Sequence, residues 1–233
     1  MSQLSDDCFA FGGPLMTTAE ALRVLTERVE VQVEVEEVGL EQAAGRILAR
    51  PVVSDLDVPP HDNAAVDGYA MRHRDLDPAA ETRLAVVGRA AAGHPHATEV
   101  GAGEAVRIFT GAVMAPGTDT VVMQEDVRLD GSDVLVPSGL SRGANRRAAG
   151  EDVEAGRTVL RAGQRLRAQE VGLAATVGQY RLQVYRPLRV AVFSTGDELR
   201  EPGTALPPGA IYDANRYLLR ALLEGLHCRV DDL

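Results

Sequence analysis

Lysine is absent from this sequence. All 24 of its basic residues are arginine, which excludes Schiff-base chemistry and a Walker-type phosphate lysine within the chain. Tryptophan is absent too, and aromatic residues make up only 4%, too few for a surface that stacks on nucleic-acid bases. A formal net charge of −10 argues the same way, because a polyanion is recognised by a basic surface. The two cysteines, Cys8 and Cys228, lie at opposite ends. They form neither a metal-ligand pair nor a disulfide framework, and a reducing cytoplasm is the simplest fit. No apolar run approaches the ~20 residues of a membrane span. The opening residues, Met1-Ser-Gln-Leu-Ser-Asp-Asp, lack the basic start of a signal peptide. What remains is an ordinary composition for a globular protein: 45% hydrophobic and 25% charged over 233 residues, enough for one large domain or two to three small ones.

The chain changes character three times. Thr17 and Glu20 fit a capping box, with Leu22, Leu25 and Val29 on one face of the helix that follows. Val29 to Val35 alternates strictly, which predicts a half-buried strand. A short helix is expected from Leu40 to Leu48, stopping before Pro51. From Pro51 to Asp152 the pattern is β-rich, with strands expected at 84–89, 104–109, 120–124 and 134–136, punctuated by glycine and proline as in a small barrel or sandwich. A hairpin arm at 159–163, a helix over 167–177 and a strand at 180–185 follow. After Pro187, Leu188 to Ser194 is a nearly continuous apolar run, the mark of a parallel strand covered on both faces. Asp213 can cap a helix over 214–224 that Gly225 ends, and a further strand starts at His227. One βα unit cannot cover both faces of a parallel sheet. The chain therefore reads as truncated or as part of a longer protein, unless the first helix or a second copy completes the layer.

Four clusters carry possible chemistry. Asp62, Asn63 and Asp67 lie in a proline- and Asx-rich block, Asp57-Val-Pro-Pro-His-Asp-Asn-Ala-Ala-Val-Asp-Gly-Tyr-Ala. Such a block forms either a capped turn or a site for a hard cation such as Mg2+. Phe109-Thr-Gly-Ala ends a strand, where Thr110 either offers a hydroxyl and an amide to an oxyanion or marks a plain turn. Gly143 to Asp152 sets Arg146 and Arg147 among glycines, with Glu151 and Asp152 beside them. This is either an anion-capture loop or a solvated linker of mixed charge. Ser194-Thr-Gly-Asp-Glu198 follows a strand expected to be parallel, at the end where open α/β sheets bind ligands. Of the histidines, His94 and His96 read as surface residues and His61 lies within the first block.

In order along the chain, six segments resemble the molybdopterin molybdenumtransferase family of molybdenum-cofactor synthesis, which includes the E domain of gephyrin. They are the Asp57 block, Val106-Arg-Ile-Phe-Thr-Gly-Ala, Val121-Val-Met-Gln-Glu, Gly150-Glu-Asp, Val192-Phe-Ser-Thr-Gly-Asp-Glu-Leu and Ile211-Tyr-Asp-Ala-Asn. The resemblance implies an α/β and β multi-domain fold. An N-terminal helix (1–28) would pack on the third domain. A discontinuous linking domain (29–50 and 153–186) would carry an inserted all-β second domain (51–152). The start of a truncated parallel α/β third domain would occupy 187–233. It implies insertion of molybdate into adenylylated molybdopterin with Mg2+ and release of AMP, in a cytoplasmic homodimer supplied by the molybdopterin adenylyltransferase. Asp67, Thr110, Asp152 and Glu198 match the family's catalytic positions, with Asp67, Asp152 and Glu198 as possible metal ligands. Arg147, Asp62, Asn63 and Asp213 match substrate-binding positions. The sequence departs from the family at Arg146, where isoleucine is usual, and at Ala148 and Ala149, where arginines often continue. The family's lysine-bearing Lys-Pro-Gly-Lys-Pro segment does not occur in these residues. That omission implies the rival expectation, a catalytically incomplete fragment that only dimerises.

Overall fold

The computed structural model describes residues 16–233, so Cys8 lies outside the described residues. They divide into two compact units, 35–185 and 16–34 with 186–233. The strands are β1 (Val35–Gly39), β2 (Val52–Val53), β3 (Asn63–Ala64), β4 (Gly68–Met71), β5 (Thr82–Ala90), β6 (Glu104–Ile108), β7 (Thr120–Met123), β8 (Arg128–Asp130), β9 (Asp133–Val136), β10 (Arg146–Arg147), β11 (Thr158–Leu160), β12 (Arg181–Tyr185), β13 (Arg189–Val192), β14 (Leu199–Arg200), β15 (Ile211–Tyr212) and β16 (Arg229–Asp232). The α-helices are α1 (Thr18–Arg28), α2 (Ala168–Thr176) and α3 (Ala214–Gly225). The protein is β-rich with few helices.

In the larger unit, segments distant in sequence meet first. Strand β1 runs antiparallel to β12, with Val35 opposite Tyr185 and Gly39 opposite Arg181. Strand β2 pairs with β11. The alternation of Val38, Leu182 and Val184 points them to one side, where they bury with Leu48, Leu160, Leu166 and Ala174. Removing each such aliphatic side chain from water stabilises the fold by about 1.5–3 kcal/mol. The second layer is a six-stranded sheet in the order β7-β4-β6-β5-β9-β8. It is antiparallel except for β5 beside β6. Core residues cover both of its faces. Ala70, Val106, Ile108 and Val121 belong to one cluster, and Tyr69, Met71, Ala105 and Val122 to the other. Burial on both faces explains why Gly68-Tyr-Ala-Met reads as unbroken apolar sequence.

Two expectations fail here. The alternating run 29–33 is not a strand, and only Val35 enters β1. Strand β12 is five residues long and all five are taken by β1. Alternation without a partner for its amides does not make a strand. The helix expected over 40–48 is a single 3-10 turn, Leu40–Gln42. Gly45 then adopts φ 82, and Leu48 exchanges hydrogen bonds with the 163–164 turn (Leu48 N–H to Gln164 O 2.8 Å; Gly163 N–H to Leu48 O 2.7 Å).

Helix α2 begins as expected. Glu170 is buried. Its carboxylate accepts the Arg167 N–H at 2.9 Å and the Arg167 guanidinium at 2.6 Å. That guanidinium is the main reason its carboxyl titrates at about 2 rather than the ordinary 4.5. A depressed carboxyl stabilises the fold above its unfolded value and loses that contribution as it protonates. Urea midpoints should therefore fall as the pH drops from about 4.5 toward 2, and Glu170→Gln should flatten that part of the profile.

In the smaller unit, α1 carries the expected capping box (Thr17 with Glu20) and buries none of its residues. Strand β13 runs parallel to β16, and β14 parallel to β15. Only Val192 of β13 is buried, and Phe193 is 67% exposed, so the strand is not covered on both faces as its sequence predicts. Helix α3 lies against β13 and β16 and ends at Gly225, as expected, with Leu226 as its C-cap and left-handed His227 (φ 61) next. The N–H groups of His227 and Cys228 close the last turn on Glu224 O (2.9 Å) and Leu223 O (3.0 Å), a Schellman arrangement.

Candidate functional site

The block from Val58 to Asp67 threads between two loops. Proline and Asx residues suit it poorly to a regular ladder, so the loops satisfy its backbone one group at a time. Pro59 O accepts the Gly150 N–H (3.0 Å), Asp62 O the Met114 N–H (2.9 Å) and Ala64 O the Gly111 N–H (2.9 Å), while the Ala65 N–H donates to Asn145 O (2.9 Å). Both loops are thereby pinned to the block.

At its end, Asp67 meets Thr110. Oδ1 of Asp67 accepts both the backbone N–H of Thr110 (2.8 Å) and its hydroxyl (2.7 Å). Gly111 adopts φ 79, a turn that a residue with a Cβ resists. Thr110's two donors, read from sequence as possible oxyanion ligands, are thus occupied by Asp67 itself. They hold the Asp67 carboxyl below the usual carboxylate range, the backbone bond most, with a smaller contribution from the Arg107 charge. The result is an ionised carboxylate of fixed orientation whose Oδ2 accepts no hydrogen bond from any described residue.

Asp62 acts on the other loop. Its carboxylate pairs with Arg146 (3.1 Å) and accepts the Ala149 N–H (2.8 Å), so it positions the arginine loop. Strand β10 places Arg147 opposite Asn63, whose Oδ1 is buried without a hydrogen-bond partner. Arg147 in turn pairs with Glu151 (3.2 Å) and Asp152 (2.6 Å). Those bonds, Asp152 first, raise its pKa and keep it charged. The loop therefore holds acids and arginines as matched pairs, not as free cations.

Glu198 and Asp213 belong to the smaller unit. Glu198 is exposed and its carbonyl accepts the Ile211 N–H (2.9 Å). Asp213 is buried and caps α3 through the Arg216 N–H (3.2 Å).

Three further residues, Tyr69, Arg89 and Arg107, were not singled out from sequence, and Phe109 was named only as the start of the Thr-Gly turn. Arg89 and Arg107 each lie over the Phe109 ring, 4.7 and 4.8 Å from its centroid, and Arg107 also lies 5.0 Å from that of Tyr69. The spacing Arg107-x-Phe109 just before Thr110 was a usable signal. The register that brings Arg89 beside Arg107 was not.

No group of three His, Cys, Asp or Glu side chains converges to hold a metal among the described residues. Mg2+ is often held by one or two carboxylates together with substrate phosphates, and the open Oδ2 of Asp67 is a donor of that kind. No described helix is long and apolar enough to cross a membrane.

A β-rich scaffold that fixes an ionised aspartate with a Thr-Gly turn defines a class, and comparison gives it a name. Residues 16–178 match the MoeA N-terminal region (domain I and II), and the chain belongs to that family. It is 41% identical over 220 residues to the molybdopterin molybdenumtransferase of Haemophilus influenzae, covering 94% of this chain and 54% of that protein. It is 41% identical over 210 residues to that of a Nostoc species, covering 89% and 48%. The molybdopterin biosynthesis MoeA protein of Pyrococcus horikoshii superposes with a TM-score of 0.84 at 34% identity, over 92% of this chain and 58% of that one. The chain spans about half the length of the curated relatives it matches.

Proposed function

We propose that this protein serves molybdenum-cofactor synthesis as a molybdopterin molybdenumtransferase, inserting molybdate into adenylylated molybdopterin and releasing AMP. The observation that carries this reading is the Asp67 carboxylate clamped by Thr110, within a sequence 41% identical to a molybdopterin molybdenumtransferase. Asp67 presents one fixed, ionised oxygen. Mg2+ held there would offset charge on the substrate's phosphate oxygens. Asp152, kept in register by Arg147, is the second acid we assign in this unit, and Glu198 is the acid we assign in the smaller one. Asp62 and Asn63 shape the loop that carries Arg147, and Asp213 sets the start of α3 behind Glu198. We assign the protein a cytoplasmic, homodimeric state and a substrate delivered by the molybdopterin adenylyltransferase. The domain limits implied by the family, with a linking domain at 29–50 and 153–186 around a second domain at 51–152, are part of this proposal.

The test is a hybrid in which this chain replaces the matching part of the Haemophilus influenzae relative. Expressed in cells lacking their own molybdenumtransferase, it should restore activity to molybdenum-cofactor enzymes. A folded, soluble hybrid that restores none would sink the reading.

A further inference from the structure

We propose that Arg89, Arg107 and Phe109 form a binding site for the phosphate of a nucleoside monophosphate, beside Asp67 and Thr110. Three observations lead there. Register places Tyr69, Arg107 and Arg89 in one row across β4, β6 and β5. Cross-strand neighbours share a face of the sheet, so two guanidinium groups stand side by side. Like charges directly opposite one another destabilise a sheet, and an anion between them relieves the repulsion.

Second, the two arginines are held by rings and keep hydrogen-bonding edges open. Stacking on an aromatic face fixes a guanidinium while its N–H groups remain in its plane, ready for an oxyanion. Arg89 lies over Phe109, has no hydrogen bond or ion pair with any described residue, and is exposed. Arg107 donates to Gly68 O (3.2 Å) and to Gln124 Oε1, which leaves part of its five-donor fork unused. Neither arginine is within ion-pairing distance of an acid among the described residues, although the Arg107 charge acts on Asp67, and two cations side by side in one row leave a place for an anion.

Third, a groove of about 340 Å3 lies on this row, lined by Tyr69, Arg107, Gln124, Val127 and Leu129, with Arg89 and Phe109 outside its lining; a larger groove of the same unit, about 480 Å3, is lined by Glu37, Glu41 and Arg181 among others. Ligand pockets start at roughly 300 Å3. An apolar wall of Val127 and Leu129 next to an arginine suits a flat ring joined to a phosphate. The choice of AMP as that ligand rests on the proposed reaction; the site's preference for a phosphate does not.

The experiment titrates the 233-residue chain with AMP, adenosine and inorganic phosphate, following amide shifts by NMR and heat by calorimetry. AMP should bind more tightly than either adenosine or phosphate. Arg89→Ala, at an exposed position that leaves the core untouched, should weaken AMP about tenfold, the loss of one charge-assisted contact. Leu129→Ala should weaken AMP and leave phosphate unchanged. Equal affinity for adenosine and AMP, AMP binding undiminished by Arg89→Ala, or no AMP binding at millimolar concentration would each overturn the proposal. Phosphate binding as tight as AMP would remove the ring-binding groove and hence the nucleotide. The readout is separate from hybrid complementation, so a failed hybrid with intact AMP binding leaves this site standing, and the converse leaves the reaction standing.

Discussion

Asp67→Asn should lower molybdate insertion by the hybrid enzyme roughly 100-fold, the scale of losing one preorganised charged group at a reacting centre. Asparagine can keep both Thr110 donors on its carbonyl oxygen, so the local hydrogen bonds survive and the variant isolates the charge. The far side of the group changes most. Oδ2, which accepts from no described residue, becomes an amide that donates instead of accepting. Thr110→Val should have a smaller effect, because the backbone N–H still reaches Asp67 at 2.8 Å in the parent geometry and only the hydroxyl bond is lost. Turnover of purified hybrid at saturating substrate, with a matched circular-dichroism spectrum, measures both. Asp67→Asn turning over within threefold of the parent would remove Asp67 from the site.

Gly68→Ala should be the most damaging substitution to stability in the neighbourhood of the site. A Cβ built on Gly68 would lie 1.8 Å from the carbonyl oxygen of Val122 and 3.2 Å from Cγ1 of Val121. The obstacle is backbone, so no rotamer relieves it. Strand β4 is central, paired with β6 on one side and β7 on the other. Parting it from β7 would also disturb the two cores that cover the sheet. Overpacking costs typically about 1–3 kcal/mol, and a clash with main chain in a central strand belongs at the upper end or beyond it. Chemical denaturation of the chain should show a loss of about 3 kcal/mol or more. A midpoint close to the parent's would mean that β4 and β7 separate easily. The glycine after Asp67 thus owes its place to a carbonyl, and the aspartate's position depends on that close approach.

Much of this was readable from the sequence, and what was not has a common cause. The capping residues Thr17 and Asp213 mark their helices because a cap is a local interaction within one turn. Strands β5, β6, β7 and β9 were visible through composition and punctuation. Short-range signals did not show which strand lies beside which. The row of Arg89 and Arg107 depends on a parallel pairing inside an otherwise antiparallel sheet, and the failed strand at 29–33 depends on β12 having no more residues to offer. At the site, Asp67 and Thr110 could each be singled out, but 43 positions apart their hydrogen bond was not visible, so Thr110's donors read as free. The arginine loop hid its partners in the same way: the sequence left it open between an anion-capture loop and a solvated linker of mixed charge, and the fold pairs its cations with Asp62, Glu151 and Asp152.

One junction has a further meaning. Val58 N–H donates to Val153 O at 2.7 Å, and Val153 N–H donates back to Val58 O at 3.1 Å. The chain departs and comes home through a single doorway. Everything from 59 to 152, the sheet and both pinned loops, is strung between two posts that already clasp each other. In topology it is an oversized turn. In chain order, then, the part bearing Asp67 is one long excursion that begins and ends at a single pair of hydrogen-bonded residues.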